Sequence, residues 1–257
     1  DVRERIHHNQ HLASALLRKE GFNAREIEVL WQRFKADYFL RHTHKQIAWH
    51  CSHLLRHDDH SQPLILISKK ATRGGTEVFV YSKDQHALFA TVVAELDRRN
   101  FNVHDAQVMT SKDGYVLDTF MVLDQNGDVV DESRHKAVIK HLAHVLEDGR
   151  PTKIKTRRVP RNLQHFKVKT QVDFLPTKSK KRTLLEFVAL DTPGLLATVG
   201  ATFADSGVHL HAAKITTIGE RAEDLFIITS ESGGKLSEEQ QQELRDKLIK
   251  NVAELAP

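Results

Sequence analysis

The stretch Asp191 to Thr217, DTPGLLATVGATFADSGVHLHAAKITT, aligns without a gap on an earlier one, Asp84 to Thr110, DQHALFATVVAELDRRNFNVHDAQVMT, at a constant offset of 107 residues. Asp84/Asp191, Leu88/Leu195, Ala90/Ala197, Thr91/Thr198, Val92/Val199, Ala94/Ala201, His104/His211, Ala106/Ala213 and Thr110/Thr217 are identical, with apolar exchanges between them. After a one-residue gap, Asp118-Thr119-Phe120 matches Asp224-Leu225-Phe226. One module occurs twice, so the fold is settled by reading the elements of a single copy.

Working outward, Glu77 to Lys83 and Leu184 to Leu190 are rich in β-branched and aromatic residues and predict strands. A helix follows in each copy, with Leu88, Val92 and Leu96, or Leu195, Val199 and Phe203, spaced by four on one face. In the second copy Thr192 is placed to cap, and Pro193 falls at the expected first helical residue. Val103 to Thr110 and Tyr115 to Leu123 then form a hairpin through Gly114; the second copy repeats it through Gly219. Glu132 to Glu147 and Glu238 to Leu255 read as second helices, the latter opened by a capping box at Ser237. Phe166 to Leu175 alternates as a final strand for copy one, although its position between the copies lets it serve either. The expected class is α+β: tandem ferredoxin-like βαββαβ units preceded by a helical segment.

The expected divisions are a helical segment at 1–62, a first module at 63–150, a basic connector with an extra or fourth strand at 151–182, and a second module at 183–257. The pI of 9.1 and net charge of +4 first suggest an acidic partner. Yet residues 150–182 alone carry +11, and the rest of the chain −7. A nucleic-acid interface there would need aromatics interleaved with the cations, whereas Phe166 and Phe174 alternate as strand core. No apolar run approaches the roughly 20 residues that cross a bilayer. The single Cys51 allows no internal disulfide, no signal-like N-terminus precedes it, and the expected compartment is the cytosol.

Asp191-Thr192-Pro193-Gly194-Leu195-Leu196, between a strand and a helix, resembles the signature of ACT domains, small modules that bind amino acids. With the repeat, with Tyr115-Val116-Leu117-Asp118-Thr119-Phe120, and with Asp37 to His42 and Gln46 to His50 upstream, the chain resembles the C-terminal region of the bacterial bifunctional uridylyltransferase and uridylyl-removing enzymes. That resemblance implies glutamine as effector, the PII signal protein as substrate of the intact enzyme, and pairing of ACT units within or between chains. It also implies upstream nucleotidyltransferase and hydrolase domains, with Mg2+ as the intact enzyme's metal and no cofactor in this region. A start at Asp1 rather than Met fits a fragment. Alternative readings are a stand-alone tandem ACT sensor controlling transcription or another enzyme, and a nucleic-acid binder using the connector.

A free amino acid offers a carboxylate to helix-start N–H groups, and a glycine there permits close approach. The candidate ligand residues at the turn are therefore Asp191, Pro193, Gly194 and Leu195, and the resemblance to amino-acid-binding ACT domains implies His209 and Leu210 on the next strand. Their equivalents in copy one are Asp84, His86, Ala87, Leu88, Asn102 and Val103, although this copy lacks both Pro and Gly. Asp191 as a simple cap and Gly194 as a packing glycine are the competing readings.

Nine of the 17 His lie in residues 1–60. His50, His53 and His57 flank an apolar stripe on the helix opened by Thr43 and Gln46. They read as a partly exposed flank, with no convergent carboxylate to complete a metal site. His57-Asp58 lacks the further His and Asp of a metal hydrolase, so neither catalytic nor metal residues are assigned.

Overall fold

Two equivalent strands of the repeat are buried differently, and that difference leads to the architecture. In a computed structural model, residues 1–71, 74–149 and 167–255 are described. Strand β2 (Thr76–Lys83) is buried at seven of eight positions, whereas its counterpart β6 (Thr183–Leu190) has inner positions alternating with partly covered ones. The sheet of module one is covered on both faces, that of module two on one.

Module one consists of β1 (Leu64–Ile67), β2, α5 (Leu88–Arg98), β3 (Asn102–Gln107), β4 (Tyr115–Leu123) and α6 (His135–Asp148). Module two repeats this order with β5 (Gln171–Leu175), β6, α7 (Leu195–Asp205), β7 (His209–Ile218), β8 (Arg221–Thr229) and α8 (Glu238–Ala253). All eight strands form one antiparallel sheet in the order β1-β2-β4-β3-β7-β8-β6-β5. The helices of both modules share one face, over a continuous apolar core that includes Val92, Phe120, Val199 and Phe226.

The fourth strand of each unit precedes it. The strand predicted within Phe166–Leu175 to finish copy one is β5; it pairs with β6, Val172 opposite Phe187, and belongs to module two. Module one is completed by β1, whose Ile65 lies opposite Val80. Each unit thus runs ββαββα, with a preceding strand in the edge position that βαββαβ gives to its last. Leu64-Ile65-Leu66-Ile67 is too short and uniformly apolar for periodicity to mark it as a strand.

The modules meet through β3 and β7, with Asp105 opposite Lys214, Ala106 opposite Ala213 and Gln107 opposite Ala212. Ala106 and Ala213 differ by the repeat offset, so a pseudo-twofold axis passes between them. Each of these strands bulges at the same place, between Val103 and Asp105 and between Leu210 and Ala212, around the repeated His104 and His211. Above the seam α5 packs on α7, where a Cβ on Gly200 would come within 2.7 Å of the Phe89 ring.

The second face of module one is covered by α1 (Val2–Lys19), α2 (Ala24–Trp31), α3 (Ala36–Arg41) and α4 (His44–Arg56). Leu17, Phe34, Tyr38, Ile47 and Cys51 form a second core with Leu66, Phe79, Tyr81 and Leu117 of the sheet. At its centre, Glu77 of β2 receives His50 Nε2 at 2.7 Å and a hydrogen bond from Gln46 Nε2, while Tyr38 Oη lies 2.8 Å from His50 Nδ1. His42 Nε2 reaches Thr119 Oγ1 at 2.9 Å. His50 is fully buried rather than on a partly exposed flank, and its convergent carboxylate comes from Glu77 of the sheet. No group of three or more His, Cys, Asp or Glu suits a metal among the described residues, and no described helix is long and apolar enough to cross a membrane.

Candidate functional site

The turn between the first long strand and first helix of each module has an unusual backbone. Helix α7 is capped by Gly194 at φ +84°, and α5 by Ala87 at φ +58°, both left-handed and neither with a side-chain cap bond. Glycine adopts this conformation without penalty, whereas alanine is strained by its Cβ. Gly194 is therefore the N-cap, and Pro193 lies before the helix rather than as its first residue. Asp191 does not cap. In α7 the helical ladder starts with Thr198 N–H donating to Gly194 O, and Leu195 N–H donates to Thr192 O. The first-turn donors left by that ladder are the amides of Leu196 and Ala197; those in α5 are Phe89 and Ala90, since Thr91 donates to Ala87 O.

Because the modules sit side by side about the pseudo-twofold axis, each turn faces a strand of the other module. Cavity one, about 810 Å3, brings Asp84, His86, Ala87 and Leu88 together with His209 and Leu210. Cavity two, about 280 Å3, brings Asp191, Gly194 and Leu195 together with Asn102 and Val103. Pro193 lines neither. The sequence suggested sites within each copy; the geometry forms them between copies, because β3 and β7 are adjacent in the sheet. His86 Nε2 crosses this junction to Asp205 Oδ1 at 3.0 Å.

Each cavity has a carboxylate pair that periodicity alone did not mark. Asp118 of β4 lines cavity one beside Asp84, and Asp224 of β8 lines cavity two beside Asp191. Asp118 is buried; its Oδ1 accepts from the Met109 amide at 3.1 Å, and its Oδ2 has no hydrogen-bond partner among the described residues. Burial, together with the nearby Asp84 charge, pushes its pKa well above the usual carboxylate range. Asp224 accepts from the Thr216 amide at 3.3 Å, and burial and the neighbouring Asp191 raise its pKa to about 7. Asp191 is raised by burial and by Asp97 across the junction, and Asp84 by burial. The signal for these residues was the acid of Asp118-Thr119-Phe120 and Asp224-Leu225-Phe226, repeated inside otherwise apolar strands. A buried carboxylate with an unfilled acceptor site favours a cationic or hydrogen-donating ligand group.

Cavity one also includes Tyr38 and Arg41 of the helical segment and Arg182, which precedes β6. Arg41 Nη1 donates to Gln107 Oε1 at 3.0 Å and to the His211 carbonyl at 3.3 Å. Arg182 Nη2 donates to Asp37 Oδ2 at 2.6 Å. The basic stretch 150–166, proposed from sequence as part of a possible nucleic-acid interface, lies outside the described residues.

Residues 1–53 match the family described as uridylyltransferase GlnD fifth domain, and residues 183–246 match the ACT domain family. The ACT match falls on the copy that has Pro193-Gly194. Over all 257 residues the chain is 82% identical to the bifunctional uridylyltransferase/uridylyl-removing enzyme of Vibrio vulnificus (strain YJ016), and 81% identical to that of Vibrio cholerae. The enzyme of Aliivibrio fischeri (strain ES114) is 69% identical over 256 residues. The chain spans 29% of the length of these relatives. An aspartate kinase from Synechocystis aligns over 69% of this chain and 27% of its own, at 13% identity and a TM-score of 0.39. With matches to both the fifth domain and an ACT domain, and 82% identity over its whole length, the chain corresponds to the C-terminal part of the bifunctional uridylyltransferase/uridylyl-removing enzymes.

Proposed function

We propose that this region senses a free amino acid, with glutamine as the effector, and conveys its binding to catalytic domains that add UMP to the PII signal protein and remove it. The observation that carries the reading is the pair of inter-module cavities, each combining first-turn amides with a carboxylate pair of which one member, Asp118 or Asp224, is buried. The amides suit an α-carboxylate, and the acids suit an α-ammonium. In cavity two, Asn102 offers both a donor and an acceptor to a carboxamide side chain. Glutamine would act by binding one state of the enzyme more tightly, favouring UMP removal over addition. By family resemblance, Mg2+ is the metal proposed for the intact enzyme. The cytosol, where free glutamine and PII would meet this enzyme, remains the proposed compartment.

Calorimetric titration of the 257-residue chain with glutamine, glutamate and 2-oxoglutarate tests the reading. Glutamine is expected to bind, and Gly194→Val to abolish binding in cavity two because a β-branched residue resists positive φ. Absence of glutamine binding would overturn the reading for this region. Uridylylation assays on the intact enzyme then test whether the same substitution removes the response to glutamine.

A further inference from the structure

The two cavities share a turn, a strand and an acidic pair, but differ in charge at the other end. Among the described residues, those lining cavity two include Asp97, Asp191 and Asp224 and no Lys or Arg. Cavity one has Lys35, Arg41 and Arg182 beside the acids Asp37, Asp84, Asp118 and Glu231, so it differs from cavity two in having cations rather than in lacking acids. Two of these cations come with the helical segment, which packs on the sheet of module one and places Lys35 and Arg41 on cavity one; Arg182 comes from the turn before β6.

The two guanidiniums come from sites 141 residues apart in sequence and face the same space. Burial and the charge of Arg182 both lower the pKa of Arg41. Burial, Arg182 and Arg41 together push the His211 ring down to about 4. Asp37 holds only one terminal nitrogen of Arg182; the other, Nη1, is buried and has no hydrogen-bond partner among the described residues. Arg41 spends its bonds on the neutral Gln107 side chain and a backbone carbonyl. Two like charges and a buried, unpaired N–H are costly to keep together, and the planar fork of arginine is suited to receiving a carboxylate or phosphate.

We propose that the Arg41–Arg182 end of cavity one is a subsite for an acidic group, a carboxylate or a phosphate, carried by a small-molecule ligand, and that cavity two has no equivalent. The inference rests on the cavities being small-molecule sites. It divides their labour: cavity two reads a ligand without a second acid, whereas cavity one reads an anionic one. Asp37 is an internal competitor, occupying part of the Arg182 fork.

The test is titration of the 257-residue chain with glutamate, 2-oxoglutarate and inorganic phosphate, beside glutamine. The dicarboxylates and phosphate separate the two sources of the acidic group. At least one anionic probe is expected to bind. Arg182→Gln should weaken it tenfold or more while leaving glutamine binding to cavity two unchanged, and Asp37→Asn should tighten it several-fold by freeing the fork. Failure of all three anionic probes to bind, or equal binding by wild type and Arg182→Gln, overturns the subsite. Should Arg182→Gln not fold, Asp37→Asn decides: unchanged or weaker anion binding counts against the proposal. Anion binding that responds to both substitutions, without any glutamine binding, would preserve the subsite and remove the glutamine reading.

Discussion

At the scale of single residues, Ala87 and Gly194 occupy one structural position with different ease. A left-handed backbone strains a residue with a Cβ by about 1 kcal/mol or more. Ala87→Gly is therefore expected to leave the fold intact and raise stability by up to about 1 kcal/mol, read from the denaturant midpoint. Loss of stability would show that Ala87 makes contacts outweighing the strain. Asp224 gives a pH prediction. Its folded pKa, about 7, lies above the value of 3.8 for an ordinary carboxyl. Between these values the folded chain retains a proton that the unfolded chain releases, so stability falls as pH rises through this window and levels off above 7. Asp224→Asn should melt at a higher temperature than wild type at pH 8 and at the same temperature below pH 4. A constant difference across pH would exclude titration of Asp224 as its source. An ammonium docked beside this carboxylate should also expel its proton near pH 7, making the binding enthalpy depend on the ionisation enthalpy of the buffer.

The next scale is that of the elements, where the attachment of the helical segment depends on Glu77. Burial raises its carboxyl pKa, but bonds from His50 and Gln46 and the nearby His42 outweigh this and hold it below the ordinary range. Its folded pKa is depressed, so its contribution is present above the unfolded value and is lost as pH falls through the folded one. His50→Leu strands the carboxylate and should destabilise the chain by roughly 3 kcal/mol near pH 7, with a smaller deficit in acid. A deficit independent of pH would assign the loss to packing alone. This network was only half legible. Thr43 and Gln46 marked the start of α4 correctly, and both reciprocal capping bonds form. Glu77, however, lies in a strand whose period predicts two faces without saying what covers the second one. The same lack of long-range information left β1 unpredicted and the allegiance of β5 open, because pairing is decided by tertiary contact.

For the whole molecule, the repeat revealed the fold more fully than any single element. Its offset makes Ala106 and Ala213 equivalent, but only the continuous sheet shows that they pair with each other and that each strand-to-helix turn meets a strand of the opposite copy. Arg41 and Arg182 could not be joined by reading the sequence, since one belongs to the helical segment and the other to the connector. The small residues at the seam supply a test at this scale. Ala213 is 2% exposed, and Ala213→Leu should overpack the junction, costing about 1–3 kcal/mol. Because both cavities depend on the seam, this one substitution should weaken ligand binding in both, as measured by the stoichiometry of titration. Loss in one alone would mean that the modules respond independently.

The joining of β3 to β7 within one chain also bears on how dilute the protein can be. Two separate modules would have to find each other before either cavity existed, and their occupancy would then depend on protein concentration. Here the partner is covalently supplied, so the encounter is intramolecular and both cavities form whatever the protein concentration.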